Sequence, residues 1–326
     1  MPGSSEKINY SLRPAKQIER KMLCEALWHL WPFATPRSYR YIGFGSFYFT
    51  DFSLFHRVLG ISNMLSIEGD RRVKKERFVD NLPYRCIKIK FGMSDIILPK
   101  LEWDNLRTVL WLDYDEPLES DEVNVLHDVS VFCRKACPGS MLIVTVDADP
   151  DRAEDDNHGF EALSPLKRLR RDMGDDKVPP SVKEENLDGW GRAKVYRQII
   201  VNEIQSCIAD KNKKRPVGSH YVYEQLFNFH YKDSAMMLTL AGIIYDEGTL
   251  EKFKSCGFDK LDFYRPGDEP LLIQEPKLTY REIRQLNQQL PQEIGQHLVS
   301  KSIPVADLKM YEKVYRWFPT FAETEL

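Results

Sequence analysis

The chain has 326 residues, 42% of them hydrophobic, with a formal net charge of −3. That length holds one large domain or two ordinary ones, with enough apolar side chains for a real core. The small net charge supplies no global attraction to nucleic acid or to an anionic membrane, so neither is expected as a partner.

Of the six cysteines only Cys133 and Cys137 stand close together. No second Cys or His pair has zinc-ligand spacing, so reduced thiols are expected and no metal site. The first ten residues have no apolar signal core, and no apolar run is long enough to span a bilayer. A soluble, cytoplasmic protein is the expectation.

Residues 15–31 place Ile18, Met22, Leu23, Ala26, Leu27 and Leu30 at helical spacing, before Pro32 and Pro36 break the chain. Strands and helices then alternate. Residues 40–43 predict a first strand. Residues 51–59 predict a helix, with Thr50 or Asp51 as N-cap and Gly60 closing it. Strands follow at 64–67, 85–91 and 108–112, with a charged helix at 71–79. A helix at 122–137 and the Pro138-Gly139 turn lead to a fifth strand at 140–146. This alternation specifies an α/β fold: a doubly wound, mostly parallel sheet with helices on both faces.

Residues 150–188 are acidic, then basic, and turn-rich, and read as an insertion or a mobile cover. Residues 193–209 form an amphipathic helix. Residues 223–229 and 236–245 form two strands, expected as an antiparallel pair at the sheet edge. Thr279 and Glu282 make a capping box, and residues 306–318 form a last, aromatic-rich helix. The organisation is an N-terminal helical segment over 1–37, an α/β domain over 38–265 and a helical C-terminal extension over 266–326.

Ligands of doubly wound sheets bind outside the carboxyl ends of the strands. Those ends carry Gly43, Gly45 and Ser46, then Glu68 and Asp70, then Ser94 and Asp95, then Asp113, Tyr114 and Asp115, then Asp147. The glycines let backbone approach a ligand, and a carboxylate 23 positions beyond Gly45 suits a ribose diol. Asp113 and Asp115 alternate onto one side of a strand, where both can meet one ligand, one metal or one proton. No third metal ligand is evident. Phe47, Tyr48, Phe49, Phe52 and Phe55 read as core packing, and His56 as a helix-surface residue. His230 and Tyr231, beside Lys232 and Asp233, are candidates for acid–base or substrate contact. Basic runs at 71–77, 167–171 and 211–215 read as solvated faces.

This ordered set of strand ends resembles the class I methyltransferases that use S-adenosylmethionine. The resemblance covers about residues 38–150 and, more faintly, reaches about 265. The chain also looks like a set of bacterial O-methyltransferase-like proteins. It implies that Gly43, Gly45 and Ser46 hold the amino-acid part of the cofactor, Glu68 the ribose, and Ser94 and Asp95 the adenine. It further implies that Asp113, Tyr114 and Asp115 face the methyl group and an acceptor that the sequence does not name. In that role Asp113 or Asp115 orients the acceptor or takes its proton. Two departures stand out. Tyr41 occupies the place of the family's acidic residue, and Phe47, Tyr48 and Phe49 follow Gly45 where a third glycine is common. They carry the alternative: a catalytically inactive, nucleoside-sensing or scaffold module. Such a module would work with a partner protein, or as a homo-oligomer, through its C-terminal helices.

Overall fold

One eight-stranded mixed sheet organises the chain. The structure is a computed structural model and describes residues 13–150 and 163–320. The strands are β1 (Arg40–Gly43), β2 (Asn63–Glu68), β3 (Ile87–Phe91), β4 (Thr108–Pro117), β5 (Ser140–Asp147), β6 (Tyr221–Lys232), β7 (Met236–Asp246) and β8 (Leu271–Ile273). Their order is β3-β2-β1-β4-β5-β7-β6-β8. The first five are all parallel, so their carboxyl ends open on one side. The chain moves outward from β1 through β2 to β3, then returns to the other side of β1 with β4, which puts the topological switch between β1 and β4. The doubly wound, mostly parallel sheet expected from the sequence is therefore present.

Ten helices are described: α1 (Pro14–Trp28), α2 (Thr50–Leu59), α3 (Lys75–Asp80), α4 (Ser94–Ile97), α5 (Val125–Lys135), α6 (Pro165–Met173), α7 (Trp190–Asn212), α8 (Leu250–Cys256), α9 (Tyr280–Asn287) and α10 (Val305–Val314). Alternation along the strands feeds two cores. Tyr41, Val109, Trp111 and Ile143 face Ile18, Leu23, Phe52 and Phe55 of α1 and α2. Ile42, Leu110, Leu112 and Val144 face Val129, Phe132, Ile199 and Ile200 of α5 and α7. Each large apolar side chain so buried contributes about 1.5–3 kcal/mol. Of the aromatic run, Phe47, Phe49, Phe52 and Phe55 are buried as expected, whereas Tyr48 is exposed.

Several expectations are corrected. β4 runs to Pro117, not Leu112. Polar residues end its apolar run, yet β5 continues beside it and pairs with Asp113 and, after a register shift, with Pro117. The β6–β7 hairpin is not at the edge, because β8 adds to β6 in parallel. The described part of 150–188 is packed: Leu169, Val178, Val182 and Leu187 are buried in the α5–α7 core. The C-terminal helices, whose docking the sequence leaves open, pack on this chain. Leu286, Leu298, Ile303, Leu308 and Tyr311 form a small cluster, while Val314 and Trp317 enter the α1–α2 core. The Thr279–Glu282 capping box forms as expected. Among the described residues no helix is long and apolar enough to cross a membrane.

Candidate active site at the strand ends

β1 is fully buried and delivers the first loop. The Tyr41 hydroxyl donates to the Asp51 carboxylate, and its ring packs edge-on against Phe52 and Phe55 at 4.8 and 5.0 Å. Tyr41 thus meets a carboxylate supplied by the first turn of α2. Burial raises the Asp51 carboxyl above the usual range, against the opposing charge of Arg20. Asp51 does not cap α2. The N-cap is Phe49, which has no side-chain capping bond, whereas Gly60 closes the helix in the left-handed conformation as expected.

The glycines serve close packing. A Cβ on Gly43 would lie 2.6 Å from the Tyr41 hydroxyl, and one on Gly45 would lie 2.4 Å from the Phe49 ring and 2.8 Å from Ser66 Oγ. The left-handed positions of the loop fall instead on Ser46 (φ 50°) and Phe49 (φ 44°). Such residues carry strain of order 1–3 kcal/mol and concentrate at functional sites.

Glu68, at the end of β2, turns toward this loop. Its Oε1 accepts from the Gly45 backbone N–H at 3.0 Å and from Ser66 Oγ at 2.5 Å. Burial, the largest influence, pushes its carboxyl up to about 8, while the Ser66, Gly45 and Ser46 hydrogen bonds oppose that rise. Asp70, two residues on, is held by Arg72 on the surface.

At the end of β3, α4 starts from Met93, which is its N-cap. Ser94 Oγ lies 3.3 Å from the Tyr114 hydroxyl, and that hydroxyl donates to Asp128 Oδ2 at 2.5 Å. Asp95 lies in the first turn of α4, and its Oδ1 is buried with no hydrogen-bond partner. Phe44, from the first loop, meets the Tyr114 ring edge-on at 5.2 Å.

β4 separates the residues grouped at its end. Tyr114 points toward α5 and Asp128, while Asp113 points to the α1 face, as successive strand residues must. Asp113 Oδ1 accepts from Lys16 Nζ at 2.6 Å. Lys16 also donates to the Tyr231 hydroxyl at 3.1 Å, lies 2.8 Å from Glu19 Oε2, and sits 4.6 Å over the Trp111 ring. The Glu19 contact is an ion pair within one turn of α1. Burial raises the Glu19 carboxyl, and nearby Asp113 adds to the effect against Lys16. Trp111 Nε1 donates to Thr145, which pairs with Thr239, extending a polar row across the sheet beneath α1. Asp115 is half-buried and engaged in an interaction of its own.

His230 lies on the α7 face, away from Asp113. It is 1% exposed and stacks on Trp190 at 4.8 Å. Burial, with Lys194 nearby, holds its pKa down to about 4, so the ring is neutral at pH 7. Asp147 is buried and accepts from the Asp149 backbone N–H at 2.8 Å. Pro138-Gly139 lies at the opposite end of β5, where Gly139 N–H donates to Ile244 O. A cavity of about 500 Å³ beside Pro14, Tyr280 and Phe318 is lined by none of these strand-end residues.

The sequence reading missed Lys16, Glu19, Arg20, Asp51, Ser66 and Asp128. A signal existed for Lys16 and Arg20. Lys16 and Arg20 continue the 3–4 spacing of Leu23, Leu27 and Leu30, which places charge on the stripe that a helix buries.

Residues 8–326 match the model of a family described as "Putative O-methyltransferase". No curated protein matches the sequence. Among solved structures, the O-methyltransferase TomG from Streptomyces achromogenes in complex with SAM is 12% identical; the match covers 75% of this chain and 100% of that one, at a TM-score of 0.36. Trm1 from Pyrococcus horikoshii with S-adenosyl-L-methionine is 10% identical, with 78% and 61% covered and a TM-score of 0.46. The O-methyltransferase from Bacillus cereus in complex with SAH is 9% identical, with 69% and 80% covered and a TM-score of 0.35.

Proposed function

The chain belongs to this O-methyltransferase family, and from that premise we propose that it binds S-adenosylmethionine at the ends of β1 to β4 and methylates an acceptor oxygen. One observation carries the reading. Glu68 ends β2, Asp95 follows β3 in the first turn of α4, and Asp113 lies on β4 past the point where its pairing with β1 stops, around the switch point.

The residues fit the cofactor at its nucleoside end. Asp95 Oδ1 is a buried acceptor without a donor, which suits an adenine amine. Glu68, once ionised, accepts both protons of a ribose diol. The strained Ser46–Phe49 turn and the Gly45 amide form the loop against the amino-acid part. Bound there, the sulfonium supplies an electrophilic methyl carbon. Asp113 accepts the proton of the acceptor hydroxyl through its outer oxygen, and the side chain is 27% exposed for that purpose.

Calorimetry with S-adenosylmethionine and S-adenosylhomocysteine tests this. Binding by the wild-type chain is expected, weakened about tenfold or more in Asp95→Ala through loss of a hydrogen bond to a charged group. Absence of binding to folded wild-type protein sinks the proposal and leaves the scaffold alternative standing.

A further inference from the structure

Lys16 has no place in the nucleoside half of the site, yet it is 3% exposed and aimed at Asp113 of β4. We propose that Lys16 is a positioning residue for the acceptor side of the crevice: it holds one Asp113 oxygen so that the other faces the acceptor hydroxyl. This rests on the reading of Asp113 given above.

Three observations support it. First, the ammonium is already surrounded. It donates to Asp113 and Tyr231 at 2.6 and 3.1 Å and lies 2.8 Å from Glu19. Two acceptors and an ion-pair partner enclose an ammonium whose side chain is 3% exposed, so Lys16 acts through Asp113 and not on a ligand. Second, the burial is one-sided. Lys16 and Glu19 are 3% and 0% exposed, whereas Asp113 is 27% exposed. The carboxylate is thus clamped from behind and open in front. Third, the clamp arrives on a docked element. Asp233, in the β6–β7 turn, accepts from the backbone N–H groups of Ala15 and Lys16 at 3.3 Å each. The start of α1 is thereby fixed to the same end of the sheet as Asp113. A buried ammonium pays a desolvation cost that an apolar side chain of similar size avoids. Packing alone therefore does not account for a lysine here.

The test uses the full chain, tritiated S-adenosylmethionine and a small-molecule cell extract as acceptor source. Lys16→Met is expected to lower kcat about 100-fold with KM for S-adenosylmethionine unchanged, assayed at a temperature where circular dichroism shows the variant folded, because stranding the buried Glu19 also lowers its melting temperature. Lys16→Arg recovers kcat to within about tenfold of wild type, since it keeps the charge and two donors. The Lys16→Met/Asp113→Asn double variant loses no more than Asp113→Asn alone, because the two residues act as a unit. Additive losses, or a Lys16→Met that turns over like wild type, overturn the role of Lys16 while leaving methyl transfer intact. A wild-type chain that binds S-adenosylhomocysteine by calorimetry but labels no fraction of the extract overturns the reading of Asp113, and the proposal with it.

Discussion

The backbone N–H of Gly45 donates to Glu68 Oε1 at 3.0 Å, which ties the first loop to the end of β2. Burial raises the Glu68 carboxyl from 4.5 to about 8. The folded chain therefore keeps a proton that the unfolded chain has released. This contribution to stability is complete below pH 4.5 and is lost as pH rises through about 8, at up to about 1.4 kcal/mol per pH unit. Glu68→Gln cannot ionise. Urea unfolding of both proteins from pH 5 to 9 should show the wild type losing stability relative to the variant as pH rises. A pH-independent difference contradicts the buried, protonated acid.

The same titration bears on the proposed ligand. A ribose diol needs an ionised carboxylate to accept both of its hydrogen bonds. Affinity for S-adenosylhomocysteine should tighten from pH 7 to 9 in the wild type and stay level in Glu68→Gln. Parallel profiles in calorimetry would remove Glu68 from the ribose contact.

Gly45→Ala tests the packing of the loop. Its Cβ would lie 2.4 Å from two Phe49 ring carbons, with the ring fully buried in the core. Overpacking of this kind costs about 1–3 kcal/mol. A lowered urea midpoint is expected, and Gly45→Ala/Phe49→Leu should recover part of it. A single variant as stable as wild type shows that the loop has room.

The strand order was legible because β1 to β5 carry apolar runs separated by clear helices; of these five, every strand end but that of β4 was placed to within one or two residues. The candidate site was legible only where polar residues follow an apolar run, as at Glu68, Asp95 and Asp113. Lys16 was overlooked because a charged residue on an amphipathic helix reads as solvent-facing, although its spacing with Leu23, Leu27 and Leu30 places it on the stripe that docks. Asp51 was hidden for a similar reason: its helix-start position suggested a cap, yet the Tyr41 hydroxyl draws it inward. Tyr114 was grouped with Asp113 by adjacency, although strand alternation sends the two to opposite faces.

Tyr41→Phe removes the hydroxyl that donates to Asp51. The Asp51 carboxyl then stays buried with one donor fewer, which costs about 1–3 kcal/mol. The ring itself keeps its contacts with Phe52 and Phe55. Thermal unfolding should show the loss, and Tyr41→Phe/Asp51→Asn should show less of it, because the amide carries no charge. If the double variant is the weaker protein, the Tyr41–Asp51 bond is not where the stability lies.

Arg192 joins the start of α7 to the segment after β4. It is 3% exposed, pairs with Glu119, and donates from Nε to the Tyr196 hydroxyl at 2.8 Å; Tyr196 in turn donates to Glu119. Arg192→Met strands the Glu119 carboxylate, 11% exposed, with the tyrosine alone. Breaking a buried pair in this way costs about 3–5 kcal/mol, while replacing both charges by apolar groups is often neutral. Arg192→Met should therefore lower the urea midpoint strongly, and Arg192→Met/Glu119→Leu should restore most of it. A double variant as weak as the single one would mean that Arg192 stabilises α7 through packing of its stem rather than through charge.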